Sequence, residues 1–335
     1  MQEGKAKNLD NWLIFYRIKA DMILTVTLNP VLDRVVEIPD FRVGKVNLVE
    51  KERIRVAGGK GINVSRVAKT LGEPTLATGW LGGRSAGFIK ERLKKEGIAC
   101  DFVPIKEESR LNLTILDPVT PSQTHLVEKG PGIFPSEINK LEEKVGDLVR
   151  KASVVVFSGS IPPGVNENIY NSLIRLVYRE NEDIIPILDT RDEPLKQGLE
   201  GRPFMLKPNK KEMESLIGKS LESEEDLIRQ ARSLLEKYVK LVVVSRGKDE
   251  VMVMEKDRLL MVSPPEINPL NTVGAGDALV GGFAVGLSRG LSLKEMSVLA
   301  VACAAASAEE GREKPLSLER INQLKDKIRW KEARE

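Results

Sequence analysis

Ile23-Leu24-Thr25-Val26-Thr27-Leu28, closed by Asn29-Pro30, is a short run of apolar and β-branched residues. Such a run reads as a buried strand. The signature returns in Val154-Val155-Val156-Phe157, Ile184–Leu188 and Leu241-Val242-Val243-Val244. Between these runs, Ile138, Leu141, Val145 and Leu148 recur at helical spacing, as do Leu227, Ala231, Leu234 and Leu235. Ser223-Glu224-Glu225-Asp226 reads as a capping box opening the second of these helices. Strand, helix, strand in succession predicts parallel strands joined by right-handed crossovers. The expected fold is α/β: a doubly wound, mainly parallel central sheet with helices on both faces.

Two segments break this rhythm. Residues 31–56 and 102–128 alternate apolar and polar positions, as in Val35-Val36-Glu37-Ile38 and Asn112-Leu113-Thr114-Ile115-Leu116. Half-exposed strands of this kind predict a small β-sheet that serves as a lid over a site on the main domain. The expected domain spans residues 22–328. Residues 1–21 are read as an extension outside the fold, and 329–335 as a C-terminal tail.

Charge and cysteine content narrow the function. With 52 basic and 49 acidic residues among 335, the net charge is +3, no footprint for nucleic acid. Cys100 and Cys303 are the only cysteines and stand far apart, which argues against a disulfide framework or zinc site and for a reducing cytoplasm. No apolar stretch reaches the roughly 18 residues needed to span a bilayer. A charged fraction of 30% leans toward a heat-adapted source.

The densest local signal is Asn271-Thr272-Val273-Gly274-Ala275-Gly276-Asp277, followed by Ala278 to Phe283. Two glycines in three residues permit a tight turn with bare N–H groups, and the small, apolar run beyond predicts a buried helix starting near Gly276. A helix N-terminus after such a turn favours anions. With an adjacent carboxylate, it suits transfer of a γ-phosphoryl group to an alcohol. The same residues also read as a glycine turn with an N-capping Asp. G-x-x-x-x-G-K-[S/T] is missing, as is a strand followed by G-x-G-x-x-G. His125, the only histidine, lies in a lid segment, which disfavours a Ser-His-Asp triad.

Residues 271–283 resemble the second signature of the ribokinase-like (phosphofructokinase B) sugar kinases. Ala57-Gly58-Gly59-Lys60-Gly61-Ile62-Asn63-Val64-Ser65 resembles the first, and the likeness runs from about Met22 to Ile328. The resemblance implies Asp277 as catalytic base, with an ordinary pKa near 4, and an anion hole at Gly274, Ala275 and Gly276. It implies ATP and Mg²⁺, with Lys207, Asn209, Ser245, Gly247, Thr272, Gly274 and Gly276 on the nucleotide side. Asn209 and Glu212 would organise the metal through water and phosphates. Glu250 stands where the family usually has a second glycine after Gly247, which puts that loop's nucleotide contacts in doubt. Val301–Ser307 would wall the adenine pocket.

On the sugar side the resemblance implies Asp33, Gly58, Gly59 and Asn63 as ligands, with Ser160 bordering the site. Asn29-Pro30-Val31-Leu32-Asp33 together with Ser109-Arg110-Leu111-Asn112 looks like the phosphosugar branch, in which Arg110 and Asn112 grip a substrate phosphate, with Lys60 and Lys45 as further cations. Within the branch, Ala57–Asn63 looks most like 1-phosphofructokinase and tagatose-6-phosphate kinase. The expected reaction converts fructose 1-phosphate to fructose 1,6-bisphosphate; 6-phosphofructokinase chemistry and a catalytically inactive sugar-phosphate sensor stay open. A lid sheet with an exposed apolar face predicts a homodimer.

Overall fold

The computed structural model describes residues 22–311 and 315–333; the expected extension, residues 1–21, lies outside them. Strand Ile23–Thr27 is buried along its whole length. It pairs in parallel with Thr75–Gly82 on one side and Val154–Ser158 on the other. Outward from Val154–Ser158 the sheet continues through Ile185–Asp189, Met205–Leu206 and Leu241–Val244, all parallel. Val251–Glu255 and Arg258–Ser263 then run antiparallel. All four strands read from the sequence are present, within one residue of their expected ends.

Alternate side chains on these strands enter two cores, one on each face. Leu24, Val26, Val155 and Phe157 pack with helices Pro135–Val149, Ile169–Glu180 and Glu224–Lys237. Ile23, Val154 and Val156 pack on the other face with helices Lys60–Thr70, Ala275–Ser288 and Leu293–Glu310. The polar Thr25 sits in this second core because its hydroxyl pairs with Ser65 Oγ at 2.7 Å. A Cβ at Gly282 would lie 2.3 Å from Ala300 Cα, so glycine is what lets the last two helices touch backbone to backbone. The small residues of Val301–Ser307 lie inside helix Leu293–Glu310 and are mostly buried in that packing.

The four-stranded second sheet has the order Lys51–Gly58, Val31–Glu37, Leu111–Asp117, Ser122–Val127. Both expected lid segments therefore join in one sheet, with two boundary corrections. Val103–Ile105 belongs to the central sheet, parallel to Trp80–Gly82, because alternate burial of Val103 and Ile105 against that core outweighs the exposed pattern further on. Arg329–Ala333 is an edge strand antiparallel to Arg258–Ser263, so these five residues are part of the sheet rather than a tail.

Candidate active site

Parallel strands deliver their carboxyl ends to one rim, where α/β sheets hold ligands. Asn29 follows Ile23–Thr27, Ser160 follows Val154–Ser158, Asp189 ends Ile185–Asp189, Lys207 follows Met205–Leu206 and Ser245 follows Leu241–Val244. Helix Ala275–Ser288 starts at this rim. Its N-cap Gly274 has φ 94°, a left-handed conformation that favours glycine, and no side chain caps it. Ala275 N donates to Thr272 O, so its N–H is taken up by the turn. The first helical bond runs from Ala278 N to Gly274 O, which leaves the N–H groups of Gly276 and Asp277 without an acceptor among the described residues. These two, rather than Ala275, are the unpaired N–H groups at this helix start.

Asp277 is buried, 8% exposed, and accepts a hydrogen bond from Asn63 Nδ2 at 2.7 Å. Burial pushes its pKa from 3.8 up to about 6; Asp189 adds to the rise, while Lys60, Asn63 and Lys207 oppose it. The ordinary carboxylate expected from the sequence is thus a much better base. Asn63, expected to read sugar hydroxyls, gives one of its two amide N–H groups to this carboxylate.

Lys60 Nζ lies 3.1 Å from both carboxylate oxygens of Asp189, and Lys207 Nζ lies 3.3 Å from Oδ1. Burial opposes charge on Asp189, yet the two ammonium groups hold it below the usual carboxylate range. For Lys60 burial favours the neutral form, but Asp189, Asp277 and Glu212 outweigh it and raise its pKa to about 12. The expected cation Lys60 is therefore present and charged. Asp189 was missed by sequence reasoning; a carboxylate at the rim end of an otherwise apolar strand was the available signal.

On the nucleotide side, Asn209 and Glu212 form a reciprocal cap on helix Lys210–Ile217: Glu212 N donates to Asn209 Oδ1 at 2.9 Å and Asn209 N to Glu212 Oε2 at 2.8 Å. Asn209 also bridges to Ser245, whose N donates to Pro208 O at 3.1 Å. Among the described residues no group of three acidic, His or Cys side chains gathers to hold a metal. A rim whose acids do not gather into one ligand set fits Mg²⁺ carried mainly by phosphates and water. Glu250 is accommodated by accepting from Ser263 Oγ at 2.9 Å and pairing with Lys331 at 3.1 Å, which ties the loop carrying Gly247 (φ 70°) to the edge strands.

On the sugar side, Asp33 accepts from Asn112 Nδ2 at 3.0 Å across adjacent strands. A Cβ at Gly58 would stand 2.2 Å from Asp33 Oδ2, and Gly59 has φ 130°. Arg110 donates through Nε and Nη2 to Asn29 O at 3.1 and 3.0 Å. Burial lowers its pKa, Asp33 and Glu128 oppose that, and Arg191 is a second cation close enough to add to the fall. Asn29 Nδ2 donates to Ser160 Oγ at 3.3 Å. Lys45 lies apart, on an exposed loop of the small sheet. Thr27 Oγ1, Asn29 Oδ1, Asn112 Oδ1 and Ser158 Oγ are buried without a partner. Native interiors rarely leave such atoms unpaired, and all four residues stand at this rim or on the strand that covers it; a ligand rich in hydroxyls would satisfy them.

The pfkB family carbohydrate kinase pattern matches residues 26–315. The chain is 34% identical to 1-phosphofructokinase of Borreliella burgdorferi, over 87% of this chain and 92% of that one. It is 33% identical to tagatose-6-phosphate kinase of Staphylococcus epidermidis, over 79% and 85%. The phosphofructokinase-2 of Escherichia coli in complex with fructose-6-phosphate superposes with a TM-score of 0.84 at 28% identity, over 91% of this chain and 98% of that one. A buried carboxylate at a helix N-terminus, the two glycine-bearing signatures and these likenesses agree: the chain belongs to the pfkB family of carbohydrate kinases.

Proposed function

We propose that this kinase transfers the γ-phosphoryl group of ATP to a hydroxyl of a ketohexose phosphate, with fructose 1-phosphate as substrate and fructose 1,6-bisphosphate as product. The observation that carries this reading is the placement of Asp277. Its carboxylate stands between the rim, the free N–H groups of Gly276 and Asp277, and the pair Lys60–Asp189. The sugar is held by Asp33 and Asn112, and its phosphate by Arg110, whose fork suits an oxyanion. Asp277 orients the attacking hydroxyl and takes its proton as the phosphoryl group leaves ATP. Lys60, Lys207 and the helix N-terminus offset the charge that develops on the transferring group. Mg²⁺, when bound with the nucleotide, supplies further charge neutralisation near Asn209 and Glu212.

Tagatose 6-phosphate is the second reading, favoured by the likeness to the Staphylococcus epidermidis kinase. A homodimer through the small sheet is part of the proposal, supported by the exposed Leu126 and Val127 on its last strand. Two unpaired cysteines and no helix, among the described residues, long and apolar enough to cross a membrane are consistent with action in the cytoplasm. The test is ADP release measured with fructose 1-phosphate, fructose 6-phosphate and tagatose 6-phosphate, with Asp277→Asn as control. Tight binding of a phosphoketose without any ADP release would instead identify a sensor.

A further inference from the structure

We propose that Arg66 is a positioning residue for the base: it fixes the carboxamide of Asn63 in the one orientation that donates to Asp277. Arg66 Nη1 donates to Asn63 Oδ1 at 2.8 Å, and Asn63 Nδ2 donates to Asp277 Oδ2 at 2.7 Å. A guanidinium carries five N–H groups and no acceptor. Turning the carboxamide over would set an NH₂ against the guanidinium and a carbonyl oxygen against the carboxylate. Both contacts would be repulsive, so the arginine selects the donating orientation.

Arg66 is itself held on three sides. Nε donates to Glu96 Oε2 at 2.8 Å, and Nη2 to Glu96 Oε1 at 3.3 Å and Ala57 O at 2.7 Å. Asn63 and Arg66 stand three residues apart on helix Lys60–Thr70, so their side chains share one face. The result is a chain of polar contacts, Glu96–Arg66–Asn63–Asp277, that begins just beyond helix Gly83–Lys95 and ends in the first turn of helix Ala275–Ser288.

The other charged groups facing Asp277 are Lys60 on the same helix as Asn63, Asp189 at the end of its strand and Lys207 beyond Met205–Leu206. Asn63 is the side chain seen donating a hydrogen bond to the carboxylate. A donor to the ionised form lowers a carboxyl pKa. Losing it must move the titration of Asp277 upward and shrink the pH range in which the base is ionised.

The inference rests on Asp277 being the base, so the test reads its protonation directly as well as through turnover. The carboxyl carbon of Asp277 is followed by NMR in protein labelled with ¹³C-aspartate and assigned with Asp277→Asn, beside the pH profile of kcat/KM. Arg66→Ala is expected to raise the Asp277 midpoint by about one pH unit and to move the acid limb of the profile with it. In an Asn63→Ala background, Arg66→Ala should move neither any further. Arg66, Asn63, Glu96 and Gly274 line a cavity of about 370 Å³, so added guanidinium ion should enter and reverse the shift in Arg66→Ala. An equal shift with and without Asn63, or a loss of activity that is uniform across pH with the midpoint unmoved, would overturn the proposal. A moved carboxyl midpoint with an unmoved kcat/KM profile would support the positioning and instead sink Asp277 as base. Should Arg66→Ala not fold, Arg66→Lys, which keeps the charge but cannot fork between Glu96 and Asn63, goes through the same cycle with the same outcomes deciding.

Discussion

Lys60 and Asp189 meet in a two-pronged ion pair, with the ammonium 3.1 Å from each carboxylate oxygen although 129 residues separate them in the chain. Asp189 is fully buried, and Lys207, 4% exposed, contacts the same carboxylate. One acid thus anchors the two cations that act on Asp277.

Removing that acid leaves Lys207 buried without its partner. Asp189→Ala is expected to lower unfolding stability by about 3–5 kcal/mol, read by urea denaturation. Activity should fall even under conditions where the variant is fully folded. Wild-type stability in the variant would show that the pair is not coupled as described.

The buried base gives activity an acid limb. Asp277 must be ionised to accept a proton, so kcat/KM should rise with pH through about 6 and level off above it. A limb near 4 would mean that burial does not govern this carboxylate. Asp277→Asn should lower kcat by roughly 100-fold or more.

The same shift has a sign for folding. A carboxyl whose pKa is raised in the folded state contributes stability below its unfolded value, and that contribution is lost as pH rises through the folded value, here between about 4 and 6. Asp277→Asn escapes this loss, so its Tm should exceed that of the wild type at pH 8, with the gap closing toward pH 4. A gap that stays constant across this range would count against the raised pKa.

The sugar side should respond separately from the nucleotide side. Gly58→Ala puts a Cβ into the Asp33 carboxylate and should raise KM for the phosphosugar at least tenfold while the KM for ATP stays put. Equal changes in both constants would point to general distortion.

Arg110→Ala should raise KM for the phosphosugar by about 10–100-fold and matter little for an unphosphorylated sugar. An unchanged constant for the phosphosugar would remove Arg110 from the phosphate site.

Most of the central sheet was legible because its strands are apolar on both faces and its turns are glycine-rich. Asp277, Gly58 and Gly274 were legible for a related reason: tight turns and close approaches need glycine, and glycine in series is visible. Asp189, Thr27 and Arg66 were not. Each is one polar residue inside an ordinary strand or helix, and its meaning comes from partners that only the folded sheet brings near. The edge strand Arg329–Ala333 was missed because its side chains are nearly all exposed, so no periodic apolar signal marks it.

The hold of Arg110 on Asn29 O also bears on how the small sheet is attached to the central one. Leu28-Asn29-Pro30 is the short tether by which the chain leaves the central sheet for the small one, and Arg110 grips its carbonyl from the other lid segment. The two crossings of the chain into the small sheet are fastened side by side there, by Leu32 N donating to Arg110 O at 2.9 Å and by Asn112 Nδ2 donating to Asp33 Oδ1 at 3.0 Å. Asp33, Arg110 and Asn112 are thereby held to one another as one unit. Any shift of the small sheet against the central one would therefore move these three side chains together, keeping their mutual spacing.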